Sequence, residues 1–201
     1  LIEPILCTSG DIYLDLDKLR TLSKLCSENN ICFIIDEIQT GFGTTGDFWY
    51  SEKVGLNPDI IVFGKKAQIC GVMVSDKYSE AIHSKVRKLE VTFDGELIDA
   101  VRGKYILKAI EKYSLLANVN TKSELIRKEM SDKFDNYRSA GHLIAFDFKD
   151  KKSRDNFVSK AYEHHLLVNP TGEMSVRIRP NLAFSDNELD DFFLRIAKIR
   201  N

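Results

Sequence analysis

Two short runs of almost purely apolar residues, "ICFIID" at 31–36 and "DIIVFG" at 59–64, restrict the fold more than anything else in the chain. Neither alternates polar with apolar positions, so neither suits a strand with one face in water. Both are rich in β-branched residues and too short for a buried helix, which leaves strands covered on two faces. "LIEPIL" opens the chain as a further strand-like stretch, and "GVMVSD" (71–76) reads as another strand. Between them, "DLDKLRTLSKLCSENN" (15–30) spaces Leu16, Leu19, Leu22 and Leu25 for one helical face and ends at an Asn pair. Strand, helix, strand, loop, strand is the order of an α/β layer with a mainly parallel sheet. The chain starts on Leu1 inside an apolar stretch, without a methionine, and is expected to be the C-terminal portion of something longer.

Farther along, "LIDAVRGKYILKAIEKYSLLANV" (97–119) carries apolar residues at Leu97, Val101, Ile106 and Ile110, predicting one long helix. From about 120 the texture changes to helix, strand, helix, two short strands and a final amphipathic helix, "SDNELDDFFLRIAKIR". The expected organisation is a first domain over 1–115 and a smaller α+β domain over 116–201, bridged by the long helix. No Pro- or Ser-rich linker separates them.

Twenty-nine basic and thirty acidic residues leave a net charge of −1, with no long basic stripe. Nucleic acid and anionic membrane are therefore poor partners. No run is long enough to span a bilayer, and no signal-peptide pattern is present, so a cytoplasmic location is expected. Cys7, Cys26, Cys32 and Cys70 form no C-x-x-C pair, and His164 and His165 are adjacent rather than at ligand spacing. Buried thiols in a reducing compartment, and no metal site, are the expectation.

Gly41, Gly43 and Gly46 spell G-x-G-x-x-G after the first run. A dinucleotide turn needs its glycines to follow the strand directly and to open a helix. Here Asp36, Glu37, Ile38 and Gln39 intervene, and Asn57 and Pro58 put Asp59 at the start of a strand rather than the end. The fingerprint fails. The charges are more informative: Asp36 closes the first run, and Lys65 follows the Gly64 that closes the second. Ligands of open α/β sheets gather at the carboxyl ends of strands. A lysine amine that forms a Schiff base, with a carboxylate that keeps a pyridine nitrogen protonated, is the pair pyridoxal phosphate needs. A structural Asp–Lys ion pair at the sheet rim fits the spacing too, and on spacing alone is the commoner arrangement.

Taken together and in order, "EPI", "IIDEIQTGFGTTGDFW", "NPDIIVFGKK" and "VRIRP" resemble the C-terminal half of a class III, fold-type I aminotransferase. Within that family "FGKKAQICGVM" is most similar to the lysine 6-aminotransferases, with 4-aminobutyrate and ornithine enzymes as relatives. The resemblance implies part of the large, mainly parallel-sheet cofactor domain followed by a small α+β domain, and pyridoxal 5'-phosphate as cofactor. It puts Asp36 against the pyridine nitrogen, Gln39 near the ring hydroxyl and Lys65, rather than Lys66, as the Schiff-base lysine. Thr92, in "EVTFDGEL", matches the threonine that reaches the cofactor phosphate of a partner subunit. Arg177 matches the arginine that binds the substrate carboxylate, a task suited to a guanidinium fork; without the resemblance it reads equally as a surface arginine on an alternating strand. The glycines then shape a loop and bind no phosphate. The implied reaction moves the terminal amino group of L-lysine to 2-oxoglutarate in a dimer, or in a complex with the missing N-terminal half.

The pattern also breaks. "EPILCTSG" stands where the family has "EPIQGEGG", so Thr8 replaces the glutamate that pairs with the substrate arginine. "VTFDGE" replaces "STxGGN", bringing Asp94 and Glu96 near the phosphate-contacting threonine, where like charges repel. A non-catalytic remnant or subunit that keeps the fold is the alternative these departures raise.

Overall fold

In the computed structural model, which describes residues 1–84 and 95–200, the two apolar runs lie side by side. They form β3 (Ile34–Asp36) and β4 (Ile60–Phe63), paired in parallel with Ile34 opposite Ile60 and Asp36 opposite Val62. A parallel bridge from Ile2 to Ile35 extends the pairing on the other side. The next strand, β5 (Gly71–Val74), pairs with β4 in antiparallel fashion, within a sheet expected to be mainly parallel. Its connection holds only Gly64 to Cys70, too short for the crossover a parallel neighbour requires. Phe33 and Ile35 are buried as expected, but β4 is only half-covered along its length and Val72 and Met73 of β5 are exposed.

Two helices depart from their sequence reading for geometric reasons. In α1 (Leu16–Glu28), Leu19 and Cys26 are buried, whereas Leu22 and Leu25 are exposed. At about 100° per residue, Leu25 lies roughly opposite Leu16, so leucines spaced by three cannot share a face over this length. Asp15 caps the helix, its carboxylate accepting the amides of Asp17 at 3.0 Å and Lys18 at 3.1 Å. The single helix expected over 97–119 is two, α4 (Leu97–Lys112) and α5 (Leu115–Met130), broken where Ser114 adopts a left-handed φ of 49°. "KYSLL" contains neither Gly nor Pro, so no local signal marks the break. Of the expected α4 stripe, Ile110 is buried while Leu97 and Val101 are exposed.

The chain divides into two compact units. The first comprises Leu1–Pro4, Leu14–Phe42 and Asp47–Tyr113, and holds the β3–β4–β5 sheet with α1, a one-turn helix α2 (Tyr50–Lys53), α3 (Asp76–His83) and α4. An aromatic cluster sits in it: Trp49 stands edge-on to Phe42 and Phe48, with ring centroids 5.3 and 5.0 Å away.

The second unit comprises Ile5–Tyr13, Gly43–Gly46 and the chain from Ser114 onward. A short hairpin, β1 (Ile5–Leu6) with β2 (Ile12–Tyr13), belongs to it. Its sheet is antiparallel, in the order β6 (Asp135–Ala140), β7 (Leu143–Asp147), β9 (Ser175–Ile178), β8 (Asn169–Thr171). Against it pack α5, α6 (Lys151–Glu163) and α7 (Asp186–Arg200), with Ile126, Phe146, Phe157, Val176, Phe192 and Ile196 among the buried core. Each such side chain contributes about 1.5–3 kcal/mol by leaving water. Strand β6, "DNYRSA", escaped the sequence reading because it lies at the sheet edge, carries polar residues and has a register shift between Asp135 and Arg138. Among the described residues no helix is long and apolar enough to cross a membrane.

Candidate active site

The parallel register puts the ends of β3 and β4 together. Asp36 is opposite Val62, and the Glu37 amide continues the ladder to the Val62 carbonyl at 2.8 Å. Asp36 is half-buried. One of its oxygens, Oδ1, accepts the Ile38 amide at 2.9 Å, and Oδ2 takes no hydrogen bond from any described residue. Such a carboxylate, fixed through one oxygen and open at the other, can receive a proton-bearing ring nitrogen.

Lys65 begins a tight turn, Lys65–Ala67, directly after β4. It is exposed and forms no ion pair with a described residue. The Asp–Lys rim pair allowed by spacing is thus absent. Its φ is 45°, a left-handed conformation that costs a non-glycine residue about 1 kcal/mol or more. Its carbonyl accepts the Gln68 amide at 2.9 Å, closing the turn. Gly64 lets this turn approach its neighbours: a Cβ there would stand 3.0 Å from Cys70 Sγ and 3.7 Å from Ile38 Cγ1. Lys66, by contrast, is half-buried. Gln39 lies half-buried in the turn that follows Asp36. Thr92 and Asp94 lie outside the described residues; Glu96 is exposed immediately before α4.

Glu37 is the residue sequence reasoning passed over. It is 1% exposed, and its carboxylate accepts the Thr40 hydroxyl at 2.6 Å and the amides of Tyr50 at 2.9 Å and Ser51 at 2.7 Å. Those amides open α2, so a protein carboxylate occupies the place a dinucleotide fingerprint reserves for phosphate. Burial, with the Glu37 charge second, pushes the Tyr50 hydroxyl above its ordinary range. The glycines serve packing instead. A Cβ on Gly41 would meet the Trp49 ring at 2.7 Å. Gly46 has a φ of 88° and gives its carbonyl to the Asn120 amide at 2.8 Å.

In the second unit the two arginines of "VRIRP" differ. Arg179 reaches Asp11, whose side chain is wholly buried, with Nη2 2.5 Å from each carboxylate oxygen. Its Nη1 donates to the carbonyls of Ile144 and Ile178. Arg177, half-buried on β9, makes a single hydrogen bond to the described chain, Nη1 to the Cys7 carbonyl at 3.1 Å. Arg179 is committed to the fold, whereas Nε and Nη2 of Arg177 bond to no described residue. Thr8 is exposed on the Cys7–Ser9 turn beside that contact. Of the cysteines, Cys7 and Cys26 are buried, Cys32 is half-buried and Cys70, expected to be buried, is exposed; none is in a disulfide.

The profile of one protein family, Aminotransferase class-III, matches residues 1–199. The L-lysine-epsilon aminotransferase of Streptomyces clavuligerus is 32% identical over 208 residues, covering 98% of this chain and 46% of the relative. The 4-aminobutyrate aminotransferase of Schizosaccharomyces pombe is 30% identical over 99% of this chain and 44% of its own length. Among solved structures, lysine aminotransferase from M. tuberculosis in the internal aldimine form superposes with a TM-score of 0.85 at 30% identity, covering 98% of this chain and 47% of that one. The chain spans about half the length of the curated relatives it matches.

Proposed function

This chain belongs to the class III aminotransferases, and we propose that it supplies the cofactor lysine and the substrate-binding arginine of a pyridoxal 5'-phosphate-dependent transamination. One observation carries the reading. Lys65 is exposed on a left-handed turn at the end of β4, while Asp36, at the end of the parallel neighbour β3, holds an oxygen unclaimed by the described chain.

The residues fit the cofactor. Asp36 would hold the pyridine nitrogen in its protonated form, Gln39 the ring hydroxyl and Lys65 the reactive carbon; Thr92 is the proposed phosphate contact. When bound, the cofactor supplies an electron sink for the carbon that bears the substrate amine. Lys65 Nζ would then act as the base that takes a proton from that carbon and moves it to the cofactor. Its exposure leaves the amine free to swing between carrying the cofactor and moving the proton. Arg177 binds the substrate carboxylate and so fixes how far the reacting amine lies from it.

The amino donor is proposed as L-lysine, reacting at its terminal amine, with 2-oxoglutarate as acceptor; the lysine-epsilon aminotransferases support this. 4-Aminobutyrate and ornithine are the competing donors, since relatives acting on 4-aminobutyrate and acetylornithine also match. We take the first unit as part of the large domain and the second as the small domain, and the working assembly as a dimer or a complex with a chain carrying the rest of the relatives' length. The second reading, a non-catalytic subunit, draws on Thr8 standing beside Arg177 where the family has a glutamate.

Reduction with borohydride after incubation with pyridoxal phosphate tests the reading. Peptide mass spectrometry should find the cofactor on Lys65, with a visible absorption band that Lys65→Ala abolishes. Cofactor on Lys66 instead, or a band unaffected by Lys65→Ala, overturns it.

A further inference from the structure

The Cys7 carbonyl that receives Arg177 Nη1 has a second donor. The Thr171 hydroxyl stands 3.1 Å from it and 3.3 Å from the Thr8 carbonyl. Thr171 and Arg177 are thus both side-chain donors to the one carbonyl at Cys7. Thr171 is 6% exposed and Cys7 wholly buried, which makes this a fixed contact and not a surface one. The two donors come from adjacent strands: β8 and β9 pair with Thr171 opposite Ser175 and Asn169 opposite Arg177.

A guanidinium can grip a carboxylate with two parallel N–H bonds along either of two edges, Nη1–Nη2 or Nε–Nη2. Tying Nη1 to Cys7 engages the first edge. Neither Nε nor Nη2 of Arg177 bonds to a described residue, so the second edge is presented whole. The Cys7 carbonyl and the Thr171 hydroxyl are uncharged groups, so this anchoring leaves the charge of Arg177 for its ligand.

We infer that Thr171 is a positioning residue: by holding the Cys7–Thr8 turn, it aims the Nε–Nη2 edge of Arg177 at the substrate carboxylate. The inference rests on the reading of Arg177 as carboxylate ligand and adds what orients it. Without the hydroxyl the turn loses a tie to β8, and the guanidinium can rotate away from the bidentate pose. Carboxylate affinity then falls while the fold persists.

Glutarate, a dicarboxylate with no keto or amino group to react, is the probe, titrated into the full chain. Thr171→Val should weaken its binding about three- to tenfold, the effect of one neutral hydrogen bond. Thr171→Ser, which keeps the hydroxyl, should restore it, and Arg177→Met should abolish it. Nitrogen-15 spectra of the Arg177 side chain supply a second reading that needs no ligand. Thr171→Val should speed rotation about Cζ–Nε and merge the two Nη signals, and Thr171→Ser should not. Unchanged Nη signals in Thr171→Val overturn the inference by themselves. Loss of glutarate binding in Arg177→Met with none in Thr171→Val overturns Thr171 and leaves Arg177 standing. Full binding in Arg177→Met refutes the reading of Arg177 itself.

Discussion

Arg177 and Arg179 stand two residues apart, yet their removal should cost the fold very different amounts. The Asp11 side chain is wholly buried and Arg179 is its one side-chain partner among the described residues. Arg179→Met therefore leaves a buried carboxylate without its ion-pair partner. Breaking such a pair from one side costs about 3–5 kcal/mol, a large part of the roughly 5–15 kcal/mol that holds a domain together. Arg177→Met removes one bond to the Cys7 carbonyl, which keeps the Thr171 hydroxyl as donor. Its cost should be about 1–2 kcal/mol. Urea unfolding measures both, read as a shift in midpoint at constant slope. The double variant Asp11→Asn with Arg179→Met removes both charges and should recover most of the loss. Asparagine also tolerates the left-handed backbone of Asp11, φ 52°. Equal destabilisation by Arg177→Met and Arg179→Met, or a double variant no more stable than Arg179→Met alone, refutes the division of labour between the arginines.

Two further outcomes follow from carboxylates, half-buried Asp147 and buried Glu37. Burial pushes the Asp147 carboxyl up, but hydrogen bonds from Ser175 and Asn136 and the Arg138 guanidinium outweigh it and hold the group below its ordinary value. A depressed carboxylate adds stability that is fully present above the unfolded value of about 3.9 and lost as the pH falls through the lower folded one. The stability gap between wild type and Asp147→Asn should therefore be level from neutral pH down to about 5 and shrink in more acid solution; a gap that persists unchanged excludes the ionised state as its source. Glu37→Gln replaces one acceptor oxygen with an NH2 group facing backbone amides, and should cost about 2–3 kcal/mol in thermal or urea unfolding. It should also speed amide exchange at Tyr50 and Ser51, and unchanged exchange there would remove Glu37 from its capping role.

Much of the site is written locally. Contiguous apolar runs have to be buried whatever surrounds them, so β3 and β4 are legible from "ICFIID" and "DIIVFG", and with them the positions of Asp36 and Lys65 at the strand ends. The failure of the glycine fingerprint is equally local, since it follows from the residues between strand and glycine.

What depends on partners distant in the chain could not be read there. Ser114 breaks a helix without Gly or Pro because its backbone takes a left-handed turn. The polar edge strand β6 exists because β7 is there to pair with it. Most of all, apart from the family resemblance, nothing in "VRIRP" distinguishes its arginines. Asp11, far back in the sequence, claims Arg179, and the Cys7 carbonyl leaves Arg177 two-thirds of its fork. The amino-acid sequence by itself determined that β3 and β4 exist and which charges end them, because burial of a short apolar run is a local demand. Only the tertiary structure decided which arginine is paired with a buried carboxylate and which has no ion-pair partner among the described residues, because a charge is satisfied by whatever folding brings within hydrogen-bond reach.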